Sequence, residues 1–144
     1  MKPGKDYIGV GCGAVILNEN NQILLMKRGA GCRNCVGYWA IPGGCIDRFE
    51  TAEDAVKREI KEEIGVDIEL LQLLSVTNDF IQEENEHWIT PQFLCKIVAG
   101  TPTICEPKKC DELQWFDLHA LPEKLTLPAI NGIRAIKTIL EKKK

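Results

Sequence analysis

The segment Gly44–Val66, GCIDRFETAEDAVKREIKEEIGV, decides how the rest of the chain is read. Within it, Thr51–Ile64 predicts a helix. Thr51 is a suitable N-cap with Asp54 three residues on, and Ala52, Val56 and Ile60 recur at four-residue spacing beside Ala55 and Ile64. Gly65 supplies the left-handed residue that ends many helices. Glu59 and Glu63 are four apart and share one face, with Glu62 near the same edge. Three carboxylates within about one turn repel each other. One reading is a solvated acidic face. The other is a site for a hard cation such as Mg²⁺, which takes oxygen ligands and keeps room for substrate phosphates. The glutamates adjoin the apolar ladder rather than oppose it, and they follow a Pro42-Gly43-Gly44 turn whose carbonyls can approach the helix.

Upstream of this segment, Tyr7–Leu17 is rich in Val, Ile and Gly and predicts a strand. Asn18–Asn21 predicts a turn and Gln22–Lys27 a second strand, so the opening reads as a hairpin. Gly29–Gly37 reads as loop, and Tyr38–Ile41 as a short strand stopped by Pro42-Gly43-Gly44. Downstream, Asp67–Phe80 and His87–Val98 predict two longer strands joined by the acidic turn Gln82–Glu86. Gly100–Lys109 is a Pro-containing loop, and Leu113–Phe116 a brief strand. Pro128–Lys142 predicts a helix with Ile130, Ile133, Ile136 and Leu140 on one side. Strands around two helices give an α/β sandwich in one domain over residues 1–144.

Composition narrows the function classes. A net charge of -3 does not match the basic footprint of a nucleic-acid binder. No run of 18 apolar residues exists and the first residues lack an apolar signal stretch, so a cytoplasmic protein with no membrane association is expected. Seven cysteines, an odd number, point to free thiols in a reducing compartment. Cys32 and Cys35 form a Cys-x-x-Cys pair, but a closed zinc site needs further ligands and His87 and His119 stand alone, so plain loop thiols are the simpler reading. Cys12, Cys45 and Cys95 read as small apolar fillers. Trp39, Trp88 and Trp115 suit the core or a stacked base. Asn78 and Asn131, polar among apolar neighbours, suit either a backbone bond or a nucleobase edge.

Gly44, five residues, Glu50, seven residues, Arg58-Glu59-Ile60, one residue, Glu62-Glu63, one residue, Gly65-Val66 reproduces the Nudix box without a departure. Seven fixed residues at roughly 7% each arise by chance in about one window in 10⁸. Gly9–Arg28 resembles the opening of MutT-type enzymes. Leu73–Phe80, and Glu106–Pro122 with Trp115-Phe116-Asp117, resemble the 8-oxo-dGTP diphosphatase-like subgroup.

The resemblance implies a Nudix-type α/β/α sandwich with a mixed sheet between helices. It further implies Mg²⁺-dependent hydrolysis, with Mn²⁺ as the alternative ion, of a nucleoside triphosphate to a monophosphate and pyrophosphate. Glu59 and Glu63 are the implied metal ligands, with Glu62 as a further ligand or a group supporting them, and the Gly43 carbonyl completing a coordination sphere. Glu59 and Glu62 are candidate bases, and Arg58 is expected to hold the loop and the helix carboxylates through Glu50. Arg28 matches a phosphate-contacting position and, with Asn78, is the implied substrate contact. Gln114 stands where relatives often carry an acid before the tryptophan, which leaves Asp111, Glu112, Glu59 or Glu62 for that duty. Relatives suggest a homodimer. The open alternatives are another diphosphate (ADP-ribose, a nucleotide sugar, dihydroneopterin triphosphate or an isoprenyl diphosphate) and a non-catalytic nucleotide sensor.

Overall fold

A computed structural model describes residues 1–143. Its first strand, β1 (Gly9–Ile16), does not pair along its length with β2 (Gln22–Arg28). The expected hairpin is corrected to a single bridge, Leu17 to Ile23, beyond which the strands enter different sheets. The reason lies in β1. Its glycines let other backbones approach, and it is claimed on one side by β4 (Gly43–Cys45) and on the other by β6 (Glu86–Ala99). The short strand stops before Pro42 as expected, but Gly43 and Gly44 are corrected from turn to strand, because they belong to β4. Strand propensity argues against two glycines there, but a Cβ on Gly43 would strike the Cys12 carbonyl, so close pairing demands them.

One sheet runs β4-β1-β6-β5, with β5 at Asp67–Ile81, and the other runs β3-β2-β7, with β3 at Trp39–Ala40 and β7 at Cys110–Asp117. The β1–β6 pair is parallel and the other pairs are antiparallel. The sequence-predicted acidic turn between β5 and β6 contains a 3₁₀ turn, Gln82–Glu84.

Two helices cover the strands. In α1 (Ala52–Ile64), Ala55, Val56, Ile60 and Ile64 are fully buried against Ala14, Ile16, Leu24, Met26 and Cys95. In α2 (Leu127–Lys142), Ala129, Ile133 and Ile136 pack on Val15, Ile23, Leu25 and Leu94. Neighbouring residues of β1 and β2 therefore face opposite helices, as a two-residue strand period requires. The result is the expected α/β/α sandwich. Ile130 is corrected from the buried side of α2 to an exposed position, because Ala129 and Gly132 share the contact face with Ile133 and Ile136.

The capping of α1 follows the sequence reading. Thr51 Oγ1 accepts from the Asp54 N–H at 3.0 Å, and Gly65, at φ 72°, ends the helix with its N–H on the Lys61 carbonyl. A threonine cap contributes about 1 kcal/mol, and burying one isoleucine such as Ile60 contributes roughly 2 kcal/mol. Both fix the rotation of α1, and thereby where its glutamates point.

Candidate active site

The site is built where α1 lies on β4. Gly44 pairs with Cys12 across the strands, and a side chain on Gly44 would occupy the space of the Glu59 carboxylate. Glu59 therefore rests on bare backbone. One turn later, Glu63 Oε1 accepts the Gly43 N–H at 2.9 Å. Gly43 thus meets the centre through its N–H.

Arg58 binds the loop and the helix together. Its Nε and Nη2 donate to the two oxygens of Glu50 at 2.8 and 2.9 Å, a bidentate fork. Nη1 donates to Glu59 Oε1 at 2.9 Å and to both oxygens of Glu62 at 3.3 Å. Nη2 also reaches the Cys45 carbonyl at 3.1 Å and lies 3.4 Å from Asp47 Oδ2. A lysine, with one compact charge, cannot make this set of contacts. The hydrogen bonds from Arg58, helped by the Asp47 N–H, hold the Glu50 carboxyl down to about 2. The same Glu50 contacts raise the Arg58 pKa further.

The three helix carboxylates behave differently from Glu50. Burial pushes Glu63 up to about 8. The Gly43 N–H opposes this, Glu59 and Glu106 add repulsion, and Lys109 offsets part of it. Glu59 is also raised, first by burial; Arg58 pulls it down, and Glu62 and Glu106 push it up. Glu62 is the exposed member of the set, its side chain 54% accessible.

Glu106 escaped the sequence reading. It lies in the loop between β6 and β7, where no period marks it. Backbone bonds bring it in: the Thr103 N–H donates to the Ile64 carbonyl at 3.0 Å and the Cys105 N–H to the Glu63 carbonyl at 3.1 Å. The only hint in the sequence was its place inside the stretch that resembles diphosphatase-like proteins.

The donor chemistry suits a hard divalent cation. Glu59, Glu62, Glu63 and Glu106 are all oxygen donors, and Glu63 has no ion pair within 4 Å among the described residues. Among the described residues, no three such groups close on a common point as they stand. Arg58 holds Glu59 and Glu62, and the Gly43 N–H holds Glu63. Taking up an ion therefore calls for side-chain rotation, not a new fold.

The other expected residues are placed as follows. Arg28 ends β2, but its Nε and Nη2 are engaged by the Asn34 carbonyl at 3.0 Å and Asn34 Oδ1 at 2.9 Å. Asn78 lies on β5, two strands from β1, exposed and with its Oδ1 3.4 Å from His87 Nε2. Asn131 is held at 3.1 Å by the buried Asp79, which also accepts from Thr77 and Thr90. Glu112 pairs with Lys27 at 3.2 Å, and Asp111 and Gln114 are exposed on β7. Trp39 packs edge-on against Phe116, Trp115 packs on the α1 core, and Trp88 donates to Glu86 at 2.8 Å. Cys12 and Cys95 are buried; Cys45 is corrected to exposed, because it lies on edge strand β4 where the chain leaves the sheet.

A carboxylate-bearing helix packed on a glycine strand at the edge of a mixed sheet defines a class. The NUDIX domain model matches residues 8–136, and the chain belongs to the NUDIX family. The chain is 33% identical over 114 residues to the mouse 8-oxo-dGDP phosphatase NUDT18, covering 78% of this chain and 33% of that protein. It is 36% identical over 110 residues to the ADP-ribose pyrophosphatase of Methanocaldococcus jannaschii, covering 75% of this chain and 62% of that one. The chain thus spans about a third of the mouse relative and under two thirds of the archaeal one. A crystal structure of a MutT NUDIX hydrolase from Burkholderia pseudomallei superposes with a TM-score of 0.83 at 38% identity, covering 89% of this chain and 97% of that one. No helix among the described residues is long and apolar enough to cross a membrane.

Proposed function

We propose that this chain is a Mg²⁺-dependent hydrolase that cleaves a phosphoanhydride bond in a small nucleotide. The observation that carries this reading is Glu63: half-buried beside Glu59, it accepts the Gly43 N–H at 2.9 Å, is pushed up to about 8 by burial, and has no ion pair within 4 Å among the described residues. A fold keeps such a charge-starved carboxylate at a cost, and a bound cation offsets that cost. Glu59 and Glu63 would hold the ion, with Glu62 and the Gly43 backbone beside them. A bound divalent ion neutralises phosphate oxygens and lowers the pKa of water.

The chain's own groups do the rest. Arg58, anchored by Glu50, keeps the helix carboxylates in register with the β4 backbone. Glu62, exposed and only loosely held by Arg58 at 3.3 Å, is placed to take the proton of an attacking water. Glu106 is the competing base. Asn131, fixed through its Nδ2 by Asp79, is the better candidate than Asn78 for reading a base edge.

A nucleoside triphosphate, cleaved to a monophosphate and pyrophosphate, is the preferred substrate, by resemblance to MutT-type enzymes. A nucleoside diphosphate derivative is the second reading. The names of the two relatives quoted above favour it, and so does Arg28, whose engagement with Asn34 removes one expected phosphate contact. Comparing kcat/KM for 8-oxo-dGTP, dGTP, 8-oxo-dGDP, CTP and ADP-ribose at one Mg²⁺ concentration decides between them. A tenfold lead for ADP-ribose or for a diphosphate would overturn the triphosphate reading. Turnover of none of them would overturn the hydrolase.

A further inference from the structure

Two loops flank the carboxylate centre, and they are stitched together through their backbones. The Gly29 N–H donates to the Lys109 carbonyl at 2.9 Å and the Gly31 N–H to the Lys108 carbonyl at 2.7 Å. The Cys32 thiol reaches the Lys109 carbonyl at 3.1 Å. A Cβ on Gly31 would come within 2.5 Å of the Lys108 carbonyl, so the seam leaves no room for a side chain. At its own end, Lys109 is tied back to Glu106, whose carbonyl accepts the Lys109 N–H at 2.9 Å.

Two cations near this seam are already engaged. Arg28 is engaged by Asn34, and Arg33 is engaged by the buried Glu86 at 2.9 Å. Lys109 differs from both. Its side chain is 64% exposed, and Nζ is 3.8 Å from Glu106 Oε2, at the outer limit of an ion pair. A contact that long and that exposed holds an ammonium weakly. The loop that carries Lys109 is also joined to the end of α1, where the Cys105 N–H donates to the Glu63 carbonyl at 3.1 Å, so the lysine stands beside the carboxylate helix.

We propose that Lys109 is a specificity-determining residue: its ammonium leaves Glu106 to receive the terminal phosphate of the substrate, the phosphate lying farthest from Glu59 and Glu63. Phosphate, with its greater charge and three acceptor oxygens, outcompetes one long carboxylate contact. The cation that was expected at Arg28 is therefore supplied from the β6–β7 loop. The seam at Gly29 and Gly31 serves to hold that loop in place. This inference rests on the hydrolase reading above and adds a preference for chain length.

The test compares dGTP with dGDP in wild type, Lys109→Gln and Lys109→Arg. Lys109→Gln is expected to raise KM for dGTP by about tenfold with kcat within about twofold, the loss of one charge-assisted contact. KM for dGDP should move less than about threefold, and Lys109→Arg should restore most of the dGTP affinity. Lys27→Gln, which removes a cation paired with Glu112, should leave the ratio unchanged. Calorimetric binding of the α,β-methylene analogues of dGTP and dGDP reads the same ratio without turnover, so it still reports if wild type hydrolyses neither nucleotide. Equal changes for both nucleotides, no change, or the same shift from Lys27→Gln would overturn the proposal.

Discussion

Replacing Glu63 with glutamine should change how the metal-free protein responds to pH, and the size of the change follows from its surroundings. Burial beside Glu59 and Glu106 puts the folded pKa at about 8, against an ordinary 4.5. Between those values the folded state keeps the proton and the unfolded chain has released it. Unfolding then liberates a proton, so stability is highest below 4.5, falls as pH rises, and levels off above about 8. The slope from this one group is about 1.4 kcal/mol per pH unit, and the full fall is roughly 5 kcal/mol. Glutamine keeps an oxygen to accept the Gly43 N–H but cannot ionise. Urea unfolding in excess chelator at pH 5, 6, 7 and 8 measures both proteins, and their difference cancels the other titrating groups. Glu63→Gln should gain on wild type by more than 2 kcal/mol between pH 5 and pH 7. Saturating Mg²⁺ should reverse the order at pH 8, because only wild type keeps the full ligand set. Parallel curves in chelator would show that Glu63 is not a burdened carboxylate, and the reasoning that makes it a metal ligand would lose its footing.

Gly44→Ala places a methyl group in the space of the Glu59 carboxylate; that side chain can swing away, so the midpoint of thermal unfolding should shift little while kcat falls at least tenfold. Unchanged turnover would mean that Glu59 need not rest on β4. Glu50→Gln removes the charge from the fork that orients Arg58, and should lower kcat about tenfold with KM within about threefold in a pH-independent manner above pH 5. Selective loss of KM would assign Glu50 to substrate binding instead. Cys32→Ser with Cys35→Ser should leave hydrolysis within about threefold, since the Cys32 thiol is engaged by the Lys109 carbonyl and Cys35 is exposed, and two thiols alone do not close a zinc site. Stoichiometric zinc in purified wild type, lost in the double variant, would contradict that.

The sequence made some of this structure legible because the relevant physics is local. Thr51 and Gly65 bond within one turn of themselves, and the Ala52–Val56–Ile60 ladder repeats at the helix period, so the helix and the direction of Glu59 and Glu63 could be read directly. Strand pairing is not local. Gly43 and Gly44 look like punctuation until Cys12 is known to lie across from them, and β1 and β2 look like a hairpin until β6 claims one of them. The same limit hid Glu106, which reaches the centre only because the 103–105 backbone bonds to the end of α1. Arg28 was legible as a cation at a strand end, but nothing in its own surroundings in the sequence indicates that Asn34 would engage it. Aligned strand-end position and free charge are separate properties, and only the first can be read from a motif.

The most direct test of the carboxylate centre as a metal-dependent hydrolytic site is ³¹P NMR of dGTP turnover in H₂¹⁸O. Wild type with Mg²⁺, wild type in excess chelator, and Glu63→Gln with Mg²⁺ are run side by side. Wild type with Mg²⁺ should yield dGMP and pyrophosphate with ¹⁸O in one product only, and the other two samples should be slower by about a thousandfold or more. Undiminished turnover in chelator, or wild-type rates from Glu63→Gln, would contradict it.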